Sequence, residues 1–216
     1  MTDSPTRLLL VRHGATEANE MRPYILQGCS VDLSLSELGR RQAAAVAEFL
    51  ADETVDAVYC SPMVRAAATA GEIANRHSLE PAVRPGLREV DVGRWERMTW
   101  DAIAAEYPAE HAAFRAHPGH TPYLGGESYA DVAARVFPEL LDICAAHPGR
   151  TVVAVAHNVV NRAFLASLLG LEMSRARELV QTNACVNVIE YDAAAGRATV
   201  QSMNVDAHLG DARLPR

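Results

Sequence analysis

Short apolar runs alternate along this chain with stretches whose apolar residues recur every three or four positions. Leu8-Leu9-Leu10-Val11, Ala57-Val58-Tyr59-Cys60 and residues 151–156 are runs of the first kind, each ended by polar residues. Their length and aliphatic character predict strands buried on both faces, as in a parallel sheet. Leu38, Gln42, Val46, Phe49 and Leu50 have helical spacing, behind a cap at Ser34 or Ser36 with Glu37 in the first turn. Ser61-Pro62 is expected to open a second helix, with proline at a tolerated first-turn position. A short strand is expected near residues 82–84. Ser128 is the expected cap of a long helix reaching about Ala146, with Val132, Val136, Leu140 and Ile143 on one face and Pro138 inside it. Residues 159–169 predict a helix closed by Gly170. Residues 184–191 and 198–203 predict a terminal hairpin turning at Ala195-Gly196. Strands and helices in alternation define an α/β class, a three-layer α/β/α sandwich around a mainly parallel sheet.

Two stretches break the alternation. Residues 20–35 hold Pro23 and Gly28 without a sustained period and are expected as a loop. Around residues 95–125, short helical patterns, Trp95, Trp100 and clustered Pro and Gly predict a helical cap inserted over the sheet. The tail 204–216 carries no core pattern and is expected to be poorly ordered, leaving a core of about 7–203. The 216 residues suit one substantial domain spanning 1–216 and are short for two.

Composition narrows the function. A net charge of -7 argues against nucleic acid and anionic membrane as partners, since both require a basic face. An anionic ligand would then need a local positive pocket. Residues 1–6 are polar, with no apolar segment of the signal-peptide kind, and no apolar run is long enough to span a bilayer. Cys29, Cys60, Cys144 and Cys185 are scattered, as expected of free thiols in a reducing cytoplasm. These features point to a cytoplasmic protein, with a homodimer among the assemblies left open.

Candidate chemistry sits where the strands end. The first run stops at Arg12-His13-Gly14, with Thr16 and Asn19 beyond. Ligands of open α/β sheets bind outside the carboxyl ends of strands. There a histidine can act as nucleophile, base or metal ligand, an arginine offers a fork suited to phosphate, and a glycine lets backbone approach a ligand. A second buried run ends at His157-Asn158. Asn158 there starts a helix, where asparagine tolerates positive φ and free amides can hold a phosphate oxygen. His111, His117 and His120 are close in sequence but lack a clear metal-ligand spacing.

Four pieces in order resemble the signature of the histidine phosphatase superfamily, also called phosphoglycerate-mutase-like. They are Arg12-His13-Gly14, the stretch Ser61-Pro62-x-x-Arg65-Ala66-x-x-Thr69-Ala70, Leu87-Arg88-Glu89 followed by Gly93-x-Trp95-Glu96-x-x-Thr99, and Val155-Ala156-His157. The resemblance implies that His13 attacks a phosphoryl group and becomes phosphohistidine. It implies that Glu89 is the proton donor, and that Arg12, Arg65 and His157 hold the phosphate. Asn19, Gln27, Gly28, Thr16, Arg22 and Asn158 are the candidate substrate contacts. Two arginines and a histidine can supply the electrostatics of phosphoryl transfer, so no metal and no other cofactor is expected. Classical phosphoglycerate mutases follow the donor glutamate with Arg-x-Tyr-Gly, whereas Val90-Asp91-Val92-Gly93 stands here. The resemblance therefore points to a phosphatase of the broad-specificity or α-ribazole-phosphatase type acting on small phosphate monoesters. The alternatives are mutase-type transfer and a catalytically silent phospho-ligand-binding regulatory domain.

Overall fold

Leu8, Leu9, Leu10 and Val11 are apolar on both sides of their strand because that strand lies inside the sheet. The computed structural model describes residues 4–214. Among the described residues, six strands form one sheet: β1 (Thr6–Arg12), β2 (Ala57–Cys60), β3 (Ala82–Val83), β4 (Thr151–Ala156), β5 (Val186–Asp192) and β6 (Arg197–Val205). Their order is β3-β2-β4-β1-β5-β6. β3, β2, β4 and β1 run parallel, while β5 and β6 add an antiparallel edge.

Among the described residues there are seven α-helices: α1 (Glu17–Glu20), α2 (Glu37–Phe49), α3 (Val64–Arg76), α4 (Trp100–Glu106), α5 (Pro108–Ala116), α6 (Tyr129–Ala145) and α7 (Asn158–Leu168). Strand alternation sends Leu9, Val11, Val153 and Val155 to the face covered by α2 and α3. Leu8, Leu10, Val152, Ala154 and Ala156 face α6 and α7. The result is the three-layer sandwich the alternation predicts. Ser36 caps α2 by accepting from the Gly39 amide at 3.0 Å, and Ser128 caps α6 in a reciprocal box with Asp131. α6 runs through Pro138. α4 and α5 form the cap, sealed on a fully buried Trp95 whose ring lies 5.4 Å from Phe114 and 6.0 Å from Tyr123.

Two expectations change. α3 begins at Val64, not at Ser61-Pro62, because Asp32 from the preceding loop accepts from the Val64 amide at 3.0 and 3.1 Å and so defines the helix start. The tail is ordered over its described part. Residues 204–205 complete β6, and a 3-10 helix at Ala207–Ala212 packs on α2. There Gln42 donates to the Ala212 carbonyl at 2.8 Å and His208 stacks on Phe49 at 4.6 Å. Leu209 and Ala212 are buried, but two apolar residues in a short segment make no detectable period. Residues 1–3 and 215–216, parts of the polar N-terminus and of the tail, lie outside the described residues.

The end of β1 touches the first turn of α2 backbone to backbone. A Cβ on Gly39 would stand 1.9 Å from the Ala15 carbonyl oxygen, and one on Gly14 would stand 2.4 Å from the Gly39 oxygen. Gly14 therefore serves this helix contact. Gly39→Ala should destabilise the protein by about 2 kcal/mol or more, since backbone must move to admit the methyl group. Urea unfolding of the two proteins measures it, and equal midpoints would show that the contact relaxes freely.

Candidate active site

β1 and β4 are adjacent and parallel, with Arg12 opposite Ala156. Their carboxyl ends therefore deliver His13 and His157 side by side. The His13 amide donates to the Ala156 carbonyl at 3.0 Å, and the two imidazole rings lie 5.1 Å apart.

The hydrogen bonds of His13 define its tautomer. Nε of Arg65 lies 3.3 Å from His13 Nε2 and can only donate, so Nε2 carries a lone pair. Nδ1 then bears the proton and donates it to the Gly14 carbonyl at 2.6 Å. Burial, followed by the charges of Arg65 and Arg12, holds the imidazole well below its usual pKa. His157 is also pushed well down, by burial and then by Arg65, His13 and Arg12. Its Nε2 is 2.7 Å from the Ser61 hydroxyl, while its buried Nδ1 has no protein partner. The site thus offers two neutral histidines, one with an available lone pair and one with an unused ring nitrogen.

The arginines are fixed by carbonyl groups. Arg65 donates to the carbonyls of Gly28 at 3.1 Å and Val31 at 3.2 Å, and stands 3.6 Å from Asp32. That loop is held in turn by Glu96, which accepts from the Gly28 amide at 2.6 Å. Arg12 donates to the Gln181 carbonyl, and its Nε is buried without a partner. Burial lowers its pKa to about 10, which still leaves the guanidinium charged at neutral pH.

Glu89 is buried and faces the same cleft. One carboxylate oxygen accepts from its neighbour's amide, Val90, at 2.9 Å, and the other lies 3.4 Å from the Val159 amide at the start of α7. Arg135 of α6 holds the segment from behind, donating to the carbonyls of Gly86, Arg88 and Glu89 and pairing with Glu127 at 2.8 Å. The beginning of α7 thus meets a carboxylate of the protein itself. Asn158 is the first residue of that helix and is absent from the positive-φ residues of the chain, so the left-handed backbone expected there is corrected. His157, extended at φ -132°, makes the turn from strand to helix and relieves Asn158 of it.

The cleft measures about 700 Å3 and is lined by His13, Arg12, Asn19, Arg22, Gln27 and Asn158 among others. Two other candidate contacts are engaged elsewhere. Thr16 is buried, and its hydroxyl donates to Gln27 at 2.7 Å. The Gly28 amide is committed to Glu96 and its carbonyl to Arg65. Both brace the wall of the site through these bonds. Asn19 accepts from Thr16 and Asn183 through its side-chain oxygen, which leaves its NH2 group for a ligand. Trp95 is cap packing, whereas Trp100 also lines the cleft and donates to Tyr24 at 2.6 Å. Among the described residues, no group of three or more His, Cys, Asp or Glu is placed to hold a metal ion, and no helix is long and apolar enough to cross a membrane.

Sequence reasoning overlooked Arg162, Arg135, Glu96, Gln181 and Asn183. Arg135 and Arg162 stand at ordinary helix positions, and nothing in their spacing marks them. Glu96 and its neighbours were visible as a motif without an assigned task.

This fold and this site define an α/β protein with two histidines and two arginines gathered at the carboxyl ends of adjacent parallel strands. The chain belongs to the histidine phosphatase superfamily (branch 1), whose family model matches residues 8–206. It is a phosphoric monoester hydrolase. It is 35% identical over 205 residues to phosphoserine phosphatase 1 of Hydrogenobacter thermophilus, covering 95% of each chain. It is 37% identical over 176 residues to glucosyl-3-phosphoglycerate phosphatase of Mycobacterium tuberculosis, covering 78% of this chain and 77% of that one. Among solved structures, phosphoserine phosphatase from Entamoeba histolytica in complex with 3-phosphoglyceric acid superposes with a TM-score of 0.83 at 28% identity, covering 94% of this chain and 99% of that one.

The neutral histidine pair makes stability depend on pH. Below about pH 6.5 the histidines of the unfolded chain take up protons that the folded pair refuses. Their contribution is intact above that pH and is lost as pH falls. His157→Gln removes one such group, so between pH 7 and 5 it should lose less stability than wild type by about 1–2 kcal/mol. Urea unfolding at the two pH values gives the comparison; equal losses would mean that His157 is protonated in the folded state.

Proposed function

We propose that this phosphatase hydrolyses small phosphate monoesters without a metal, through a phosphohistidine on His13. The observation that carries the reading is the His13 tautomer, with its proton tied to Gly14 and its Nε2 lone pair facing Arg65. Nε2 attacks phosphorus, and the bond from phosphorus to the ester oxygen breaks. Glu89 gives the leaving alkoxide a proton. The same carboxylate then takes a proton from the water that attacks the phosphorus–nitrogen bond, releasing phosphate and restoring His13. Arg12, Arg65 and the unpartnered Nδ1 of His157 stabilise charge on the non-bridging oxygens. Asn19, Gln27, Arg22 and Asn158 contact the remainder of the substrate. Phosphorylated small acids are the substrate class that the named relatives suggest. The reading includes a cytoplasmic location.

Rapid quench with a phosphate-labelled ester should trap an acid-labile, base-stable adduct in wild type and none in His13→Ala. Glu89→Gln should slow esters with poor leaving groups by about 10²–10⁴-fold and p-nitrophenyl phosphate far less. Full activity in His13→Ala would end the phosphohistidine reading, and equal losses on both ester types would take Glu89 out of the proton-donor role. With 3-phosphoglycerate and a trace of 2,3-bisphosphoglycerate, rapid formation of 2-phosphoglycerate would indicate a mutase.

A further inference from the structure

Arg162 is a charge in the cleft that the reaction at His13 leaves unused. It lies on α7 four residues beyond Asn158, so both side chains share one helix face, about 6 Å apart along the axis. Both line the cleft. The Nε of Arg162 donates to the Leu179 carbonyl at 2.7 Å, which pins the guanidinium and leaves its terminal nitrogens. The Tyr129 hydroxyl lies within hydrogen-bonding reach of Arg162 and of Tyr123. Both tyrosines are buried, so the guanidinium borders a wall that keeps water away. Among the described residues Arg162 has no acidic partner. The side-chain oxygen of Asn158 is buried and also unpartnered.

We propose that Arg162 and Tyr129 form a second subsite, which takes the carboxylate of a phosphorylated 2-amino or 2-hydroxy acid while Asn158 accepts from the neighbouring N–H or O–H. The proposal rests on the hydrolytic reading above and names the substrate class for it. The chemistry selects a carboxylate over a second phosphate. A planar fork with its Nε engaged presents its terminal N–H groups in the geometry that suits a planar, singly charged carboxylate. The unpartnered oxygen of Asn158, one helical turn nearer His157, falls where the carbon between phosphate ester and carboxylate would carry its donor. The site then reads three groups of one small molecule: the phosphate at His13, the donor at Asn158 and the carboxylate at Arg162.

The test compares kcat/KM for O-phospho-L-serine and for O-phosphoethanolamine, which has the same ester and ammonium but no carboxylate. Wild type should favour phosphoserine by about 10- to 100-fold, the effect of a charge-assisted pair. Arg162→Gln should bring that ratio close to one, and Arg162→Lys should leave it in between. A wild-type ratio near one, with both esters and p-nitrophenyl phosphate hydrolysed, would overturn the subsite alone. An undiminished ratio in a folded Arg162→Gln protein would overturn it too. Hydrolysis of none of the three esters by wild type would overturn the hydrolytic reading, and the subsite with it.

Discussion

Two guanidinium groups are held at the centre of this molecule, and most of the site exists to keep them there. Arg65 is 1% exposed, and Arg12 is half-buried at the end of β1, lining the cleft. Removing such charges from water is expensive unless their hydrogens are taken up. The chain supplies carbonyls in place of carboxylates: Gly28 and Val31 for Arg65, Gln181 for Arg12. Asp32 is the nearest acid to Arg65, at 3.6 Å, and it also holds the start of α3. Carbonyl dipoles fix the arginines without cancelling their charge. The remaining positive field lowers the pKa of both histidines and attracts an anion. A site neutralised by close carboxylates would be more stable and would bind phosphate poorly.

That arrangement explains which parts were legible in the sequence. The strands and long helices were visible because each repeats one local rule, alternation or helical spacing, over enough residues. Arg12, His13, Arg65, Glu89 and His157 were visible as fragments at element ends, where polarity breaks an apolar run. The supports were hidden for a physical reason. A carbonyl acceptor has no side-chain signature, so Gln181 and Val31 carry no mark of their task. Arg135 contacts the segment around Glu89 from an ordinary helix position, 46 residues away in sequence. The bonds of Thr16 to Gln27 and of Gly28 to Glu96 and Arg65 were not legible, because a residue beside a site looks the same whether it faces the cleft or braces its wall. Asn158 failed by analogy with glycine: the extended His157 already makes the turn, and nothing remains that requires positive φ.

The charge distribution also resolves at the level of the fold. A chain of net charge -7 presents a cleft lined by Arg12, Arg22, Arg115, Arg162 and Arg177, against Glu89 and Glu178 as its acids. A negative exterior around a positive hollow concentrates small anions at the hollow and repels extended polyanions, which need a continuous basic face. Trp95, Phe114 and Tyr123 pack together under α4 and α5, and Phe114 and Tyr123 line one side of the cleft.

The antiparallel edge of the sheet anchors the strand that ends at His13 from the side opposite β4. Just before β5, the Ala184 amide donates to the carbonyls of both Arg12 and His13, at 3.0 and 3.2 Å. To do so Ala184 adopts φ +58°, a left-handed conformation that costs an alanine about 1–2 kcal/mol. Asn183 adds a bond to the His13 carbonyl at 3.1 Å and another to Asn19. Fully buried Asn187 ties β5 to the Leu10 carbonyl and to Gln181, the residue whose own carbonyl holds Arg12. A histidine at the free end of a strand would swing with that end. Here both carbonyls flanking its peptide are bound, and its ring is gripped at Gly14 and Arg65. The strain at Ala184 is a small local penalty set against several buried hydrogen bonds, and those bonds fix the position of His13 beyond the end of β1.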